Sequence, residues 1–500
     1  MMDRTIDSIK NTDIPAHTRH RIAKNTAWLF TGQIIGRLLR AAVVIYAARV
    51  LGAASLGAFS YALSIAAFLT IFSDIGINAL LTREGSKNPK ERERYLATSF
   101  AVKLTLLLIM SVAALLFINR LTNLPEAMSL IPIALLVFIF DSLRDLGCAM
   151  ARALEEMRIE AITNILTNIA ITVFGIIALC ISPTSMSVIV AYALGTLFGF
   201  ISIVIPLRRY FKGLWKNFDR ALIKPILLTA WPFGLVGLMG AVMINTDVLI
   251  LGWMRSATEV GLYSAAQRPI QLLYIAPSLI ATAFFPQLAR MAAESKEKFA
   301  KLFENALALI YLLALPLTVG GVILAKQIIV LLYGASYASS YVSFAILSAT
   351  LIVVFPATLI GNAIFAHNKQ KTFLIYVALG VFGNIILDLI LIPRWGMNGS
   401  SAATLINQII INIYAWHLMQ KTAPFSISKH LIKLTASTIG MGIVTFSLQY
   451  IGVPVLWNIA FSGAVYLILL TILKEPTFGS IRKVIRKDRA IPVLEEPSEL

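Results

Sequence analysis

The chain has 500 residues, 58% of them hydrophobic and only 14% charged, and a mean hydropathy of +0.80. Soluble domains carry about 25% charge, so the composition excludes a string of soluble domains joined by polar linkers and predicts a polytopic, all-α membrane protein. The net charge of +18 does not point to nucleic acid, because the basic residues alternate along the chain instead of clustering on one polar surface.

Residues 1–26 are polar, with Arg4, Lys10, Arg19, Arg21 and Lys24. No small-residue cleavage site follows a short apolar core, so they read as a cytoplasmic tail and the first apolar run as its own insertion signal. Apolar runs long enough to cross a bilayer at ~1.5 Å per residue fall near 27–50, 56–80, 96–118, 128–150, 160–181 and 185–207. These six spans form an N-lobe over 27–207. A basic connector, 208–224, has apolar residues on one face and charges on the other, and is expected to lie along the membrane surface. Spans near 225–253, 260–288, 302–325, 338–366, 372–392 and 399–420 form a C-lobe over 225–420. Two more, near 431–451 and 454–473, lie within 421–473 and complete fourteen transmembrane helices. Residues 474–500 form a second polar tail.

Lysine and arginine test that count, because cytoplasmic loops carry the excess. With an inside amino terminus, 34 of the 43 basic residues fall on inside segments and only Arg49, Arg120, Arg255 and Arg394 on outside loops. The remaining five lie within spans. Both termini are therefore expected in the cytoplasm.

The segment Gly57-Ala-Phe-Ser-Tyr-Ala62 at the start of span 2 is echoed by Gly261-Leu-Tyr-Ser-Ala-Ala266 at the start of span 8. Six spans separate the copies, so both enter from one side. The two six-helix lobes should be related by a pseudo-two-fold axis along the membrane normal, with a transport site between them.

Ionisable residues at membrane depth are costly unless they face water or a partner. Gln33, Arg37 and Arg40 share one face of span 1, at spacings of four and three, and Arg268 lies on span 8. The planar arginine fork suits a diphosphate. The same arginines could instead pair with Asp74, Asp141 or Asp145 to hold helices together. Lys103 is expected to snorkel to the headgroups, and Arg144 to pair within its helix with Asp141 and Asp145. A second constellation joins Asp247 on span 7, Asn384 and Asp388 four apart on span 11, and Thr404 on span 12. Its oxygens suit a small hard cation, two close carboxylates could share a proton, and a cluster that only fixes packing is the third possibility.

Pro232, Pro277, Pro286, Pro316 and Pro356 interrupt second-half spans and permit bends. Cys148 and Cys180 sit in apolar runs as ordinary thiols. The five histidines show no metal-binding spacing and no phosphate-binding loop is present, so neither a resident metal beyond a possible sodium ion nor a cofactor is expected, and the chain is not read as an enzyme.

Several stretches together resemble the polysaccharide-transporter branch of the multidrug/oligosaccharidyl-lipid/polysaccharide exporter superfamily, the O-antigen-type flippases. They are ARVLGAASLGAFSYA at 48–62, SDIGINALLTRE at 73–84, DVLILG at 247–252, EVGLYSAAQRP at 259–269, FFPQLAR at 284–290, YGASYASSY at 333–341 and LIPRWGMNGSSAAT at 391–404. The resemblance runs from about residue 20 to 475. It implies a fourteen-helix transporter with a central cavity that moves polyprenyl-diphosphate-linked glycan from the inner to the outer leaflet, its arginines receiving the diphosphate while the lipid tail stays in the bilayer. Glycan polymerase and glycosyltransferases would be its partners. In the related lipid II flippases a sodium site uses an aspartate on helix 7, an Asn-x-x-x-Asp pair on helix 11 and a threonine on helix 12, a pattern that Asp247, Asn384, Asp388 and Thr404 match. The competing expectations are a cation-coupled multidrug or metabolite antiporter of the same superfamily, which two span-1 arginines suit poorly, and a non-transporting scaffold for glycan assembly.

Overall fold

The computed structural model describes residues 16–367 and 369–479; residues 1–15 and 480–500, which belong to the expected tails, lie outside the described residues. Among the described residues every regular element is helical, as hydrocarbon demands of a chain that must satisfy its own backbone hydrogen bonds. Ten helices are long and apolar enough to cross a membrane. Large apolar side chains such as Leu108, Val112, Leu116, Phe382, Ile443 and Phe461 lie exposed, while Ser73, Thr98, Lys103, Ser142, Asn384 and Asp388 are buried. That inverts the arrangement of a soluble protein and makes the chain a multi-pass membrane protein.

The chain divides into two compact units between Asn245 and Thr246. In the first, α1 (Ala16–Asp74), α2 (Ile77–Lys87), α3 (Arg92–Leu116), α4 (Ile131–Ala153), α5 (Met157–Ile181) and α6 (Ser185–Val204) precede α7 (Ile223–Met254). Spans 1 and 2 are the two helical legs of α1, which meet at a non-helical kink at Gly52, whose φ of 77° and ψ of 174° are open to glycine at little cost. The helical path then breaks inside the expected span 2, where Ile75 and Gly76 adopt φ of 41° and 81°. Gly234 of α7 packs onto that break, since a Cβ there would stand 2.5 Å from the Ile75 carbonyl carbon. Ile226 and Ala230 likewise join Leu81, Leu146, Met150 and Ile203 in the core of this unit. The start of α7 thus belongs to the first unit, although the sequence sets the lobe boundary at the connector.

The connector is no continuous amphipathic helix. It is a turn at Arg208–Phe211 followed by irregular turns and a 3-10 turn at Arg220–Leu222. Its apolar side does pack inward, through Tyr210, Phe211, Leu214 and Leu222, while Trp215 is exposed. Asp219 pins it: its carboxylate accepts from the Ala221 N–H (2.8 Å) and from Arg94. Those donors hold Asp219 below the ordinary carboxylate range.

The second unit contains α8 (Ala257–Leu273), α9 (Ile275–Glu294), α10 (Lys296–Ile323), α11 (Ala325–Tyr333), α12 (Tyr341–Ala349), α13 (Leu351–Ala366), α14 (Gln370–Thr422), α15 (Ser428–Tyr450) and α16 (Val455–Ile472). Spans 11 and 12 are the two helical legs of α14, separated by a non-helical kink at Gly396 with φ 55° and ψ −134°. The last two helices rest on α10: Leu434, Met441 and Leu470 share a core with Leu312 and Leu315, and the Tyr466 hydroxyl donates to the Leu312 carbonyl at 3.0 Å.

Candidate functional site

The acidic constellation is assembled by two turns that lock together. Ser256 caps α8 by accepting from the Glu259 N–H, and Glu259 then accepts from the Met397 N–H at 3.0 Å. From the same α7–α8 turn, Arg255 donates to the carbonyls of Ile392 (2.9 Å) and Pro393 (2.8 Å). A Cβ on Gly396 would stand 2.1 Å from a Glu259 carboxylate oxygen, so the bend of α14 requires glycine both for its φ and for this carboxylate. With the bend fixed, α7 runs beside both legs of α14, and side chains eight residues from the turns meet.

Asp247 is the centre of that meeting. Its Oδ1 accepts from Asn384 Nδ2 at 2.6 Å, and its Oδ2 from the hydroxyls of Tyr263 (2.5 Å) and Thr404 (3.0 Å). The same Asn384 nitrogen also donates to Asp388 Oδ2 at 3.0 Å, as their spacing of one helical turn allows. Asp247, Asn384, Asp388 and Tyr263 are all buried, Asp388 and Tyr263 completely. Among the described residues neither carboxylate forms an ion pair. Asp388 Oδ1 and Ser400 Oγ form no hydrogen bond of good geometry among the described residues, although Ser400 lies within reach of both Asp388 and Tyr263. Four residues predicted to meet do so, and two that sequence reasoning missed, Tyr263 and Ser400, join them. Tyr263 lies in the EVGLYSAAQRP stretch, but only the α7–α8 turn brings it back to Asp247.

The first unit holds the arginines. Gly32 and Gly36 on α1 dock against α5, where added Cβ atoms would stand 3.0 Å from the Ala161 backbone and 2.7 Å from Asn168 Nδ2. Small residues at that spacing let membrane helices approach closely. Gln33, Arg37 and Arg40 are left exposed on α1. Arg40 Nε donates to Asn168 Oδ1 at 3.1 Å, and Arg37 has no partner among the described residues.

The acids considered as alternative partners are engaged elsewhere. Asp74 accepts from Lys103 Nζ at 2.8 Å, while Asp141 and Asp145 lie 2.7 and 2.8 Å from the Arg144 guanidinium. Arg144 thus pairs within its own helix, as expected. Lys103 departs from expectation: it is 0% exposed and bonds also to Asn78 Oδ1 at 3.0 Å, because an acid and an amide on either side of the Ile75–Gly76 break offer it better partners than the headgroups. In the second unit, Arg268 on α8 is half-buried, within electrostatic reach of the Tyr333 and Tyr337 phenols.

The family described as polysaccharide biosynthesis protein matches residues 22–292, a stretch that includes Gln33, Arg37, Arg40, Asp247 and Arg268. The chain belongs to that family. Among polysaccharide biosynthesis proteins it is similar to the capsular polysaccharide biosynthesis protein CapF of Staphylococcus aureus, 19% identical over 403 residues, which is 80% of this chain and 100% of the relative. The probable low-salt glycan biosynthesis flippase Agl15 of Haloferax volcanii is 21% identical over 403 residues, 80% of this chain and 83% of the relative. The fold is that of the lipid II flippase MurJ in its inward closed conformation, with a TM-score of 0.73 at 18% identity over 93% of this chain and 100% of that one. An inward-facing multidrug resistance MATE family transporter of the MOP superfamily gives 0.66 at 17% identity over 78% and 95%. The resemblance read from the sequence is thereby borne out: the chain belongs to the polysaccharide biosynthesis proteins and has the fold of flippases and multidrug transporters.

Proposed function

We propose that this protein carries a polyprenyl-diphosphate-linked glycan from the cytoplasmic to the outer leaflet of the plasma membrane by alternating access, for cell-surface polysaccharide biosynthesis. One observation carries the reading: Arg37 and Arg40 stand exposed on an apolar helix and neither forms a salt bridge among the described residues, Asp141 lying within electrostatic reach of Arg40 but pairing with Arg144. A guanidinium at membrane depth costs ~2.5–3.5 kcal/mol even by the most lenient scale, a cost that a bound diphosphate or a wet cavity removes. Gln33 on the same face adds an amide to the proposed grip on the cargo, and Arg268 is proposed as a substrate-binding residue in its own unit. The names of Agl15 and CapF agree with a glycan cargo. A multidrug transporter shares the fold, but an arginine pair repels the cationic drugs such a site would hold.

Fourteen crossings fit this reading. The apolar helices of 44 and 51 residues each bend at a left-handed glycine and cross twice, and α4 and α7 supply the remaining two. The basic-residue asymmetry places both termini in the cytoplasm. Asp247, Asn384, Asp388 and Thr404 form the coupling site, for sodium or a proton. Asp388 Oδ1 and the neighbouring Ser400 Oγ, neither in a hydrogen bond of good geometry, are oxygens that a bound cation would gather once the Asn384 amide turned its oxygen inward. Glycosyltransferases would supply the cargo and a polymerase consume it.

Reconstitution into liposomes bearing a fluorescent polyprenyl-diphosphate-linked sugar tests the function. Protein-dependent exposure of the sugar to an external quencher is expected. Exposure no faster than in empty liposomes, with an imposed sodium or proton gradient of either sign, would refute it.

A further inference from the structure

Two helix pairs that the six-span repeat makes equivalent carry one kind of bond with opposite charge. In the second unit Asn384, on the first leg of α14, donates its amide N–H to Asp247 of α7. In the first unit Asn168 of α5 faces α1, and its amide is turned over: Oδ1 accepts from Arg40 Nε at 3.1 Å. That orientation is set from behind, because Asn168 Nδ2 donates to the Asn164 carbonyl at 2.7 Å. The next turn repeats the theme. Thr172 stands one turn beyond Asn168, as Asp388 does beyond Asn384, and its hydroxyl lies 3.3 Å from the Leu39 carbonyl, beside Arg40. Gly36 leaves room for the amide, which a Cβ would meet at 2.7 Å.

Asn168 is buried, whereas Arg40 is exposed and, beyond its Nε bond to Asn168, forms no salt bridge among the described residues; Asp141 lies within electrostatic reach of it but pairs with Arg144. A guanidinium held at Nε has its terminal NH2 groups left to face outward as a pair, and such a pair matches two oxygens of one phosphate group. The geometry points to Asn168 as a positioning residue, which presets the Arg40 fork for the diphosphate of the cargo. Where the second unit accommodates a mobile cation, the first has a covalently attached one held by the corresponding amide. Fixing the fork before binding removes the entropy of ordering a long side chain from the cost of capture. This inference rests on the flippase reading above.

Binding of farnesyl diphosphate to the purified full chain in detergent separates the two. Asn168→Leu is expected to weaken binding about tenfold, the range of one hydrogen bond to a charged group, and Arg40→Ala at least as much. The double variant should bind no more weakly than Arg40→Ala alone, because Asn168 acts only through Arg40. Asn168→Asp, nearly isosteric, guards against a folding defect: its carboxylate would pair with Arg40 and weaken binding although the melting temperature stays at the wild-type value. Wild-type affinity in Asn168→Leu and Asn168→Asp alongside a weakened Arg40→Ala, or losses that simply add in the double variant, would overturn the role of Asn168 and leave the flippase reading standing. Absence of diphosphate binding by the wild type would remove both.

Discussion

At the scale of single residues, the pair of the fully buried Lys103 with the partly exposed Asp74 gives the sharpest stability prediction. Removing one member of a fully buried ion pair costs ~3–5 kcal/mol, and a smaller loss is expected where the stranded carboxylate reaches solvent. Lys103→Met should therefore lower the melting temperature in detergent, and Lys103→Met with Asp74→Asn should recover most of the loss; equal melting of all three would mean that the pair contributes nothing. Asp388→Asn tests the acidic cluster. It is expected to abolish the dependence of transport on the coupling gradient while the protein still inserts, and transport that responds to neither a sodium nor a proton gradient in the wild type would remove the coupling role. The sequence made Asn384 and Asp388 legible because a spacing of four puts two side chains on one helix face. Tyr263 was not legible, since its approach to Asp247 depends on how sharply α7 turns into α8. Lys103 was misjudged for a related reason: whether a long cation snorkels or turns inward depends on a partner 29 residues earlier, and no local pattern reveals that partner.

At the scale of elements, hydropathy located the apolar runs well and missed a break inside one of them. Gly52 and Gly396 fall in the short loops expected between spans 1 and 2 and between spans 11 and 12, and at each the non-helical φ/ψ ends one helical leg and starts the next. The missed break is at Ile75–Gly76, where an apolar run expected to be one span is interrupted. Hydropathy sums over such a break, because isoleucine at a positive φ is set by packing against α7 and not by its own preference. Gly396→Ala probes the α14 bend: a Cβ there collides with Glu259 and strains the backbone, which typically costs ~1–3 kcal/mol. The expected outcome is a lower melting temperature together with faster hydrogen exchange at the Met397 N–H, which loses its acceptor. Wild-type exchange at Met397 would show that the bend does not need the Glu259 contact.

For the molecule as a whole, composition alone established the class, and the order of short degenerate stretches established the family. The division into units at 245–246 was less accessible, because the first half of α7 is apolar like every other span and only its contacts with Ile75 and the surrounding core assign it. The proposed function depends on positive charge kept available on α1, and the most direct test compares, in cells, the leaflet that holds the lipid-linked glycan with wild-type protein and with the Arg37→Ala/Arg40→Ala variant at equal membrane abundance. The variant is expected to leave the glycan in the cytoplasmic leaflet, with Lys at both positions restoring part of the export because charge returns without the planar fork. Export by the double alanine variant at the wild-type rate would contradict the account.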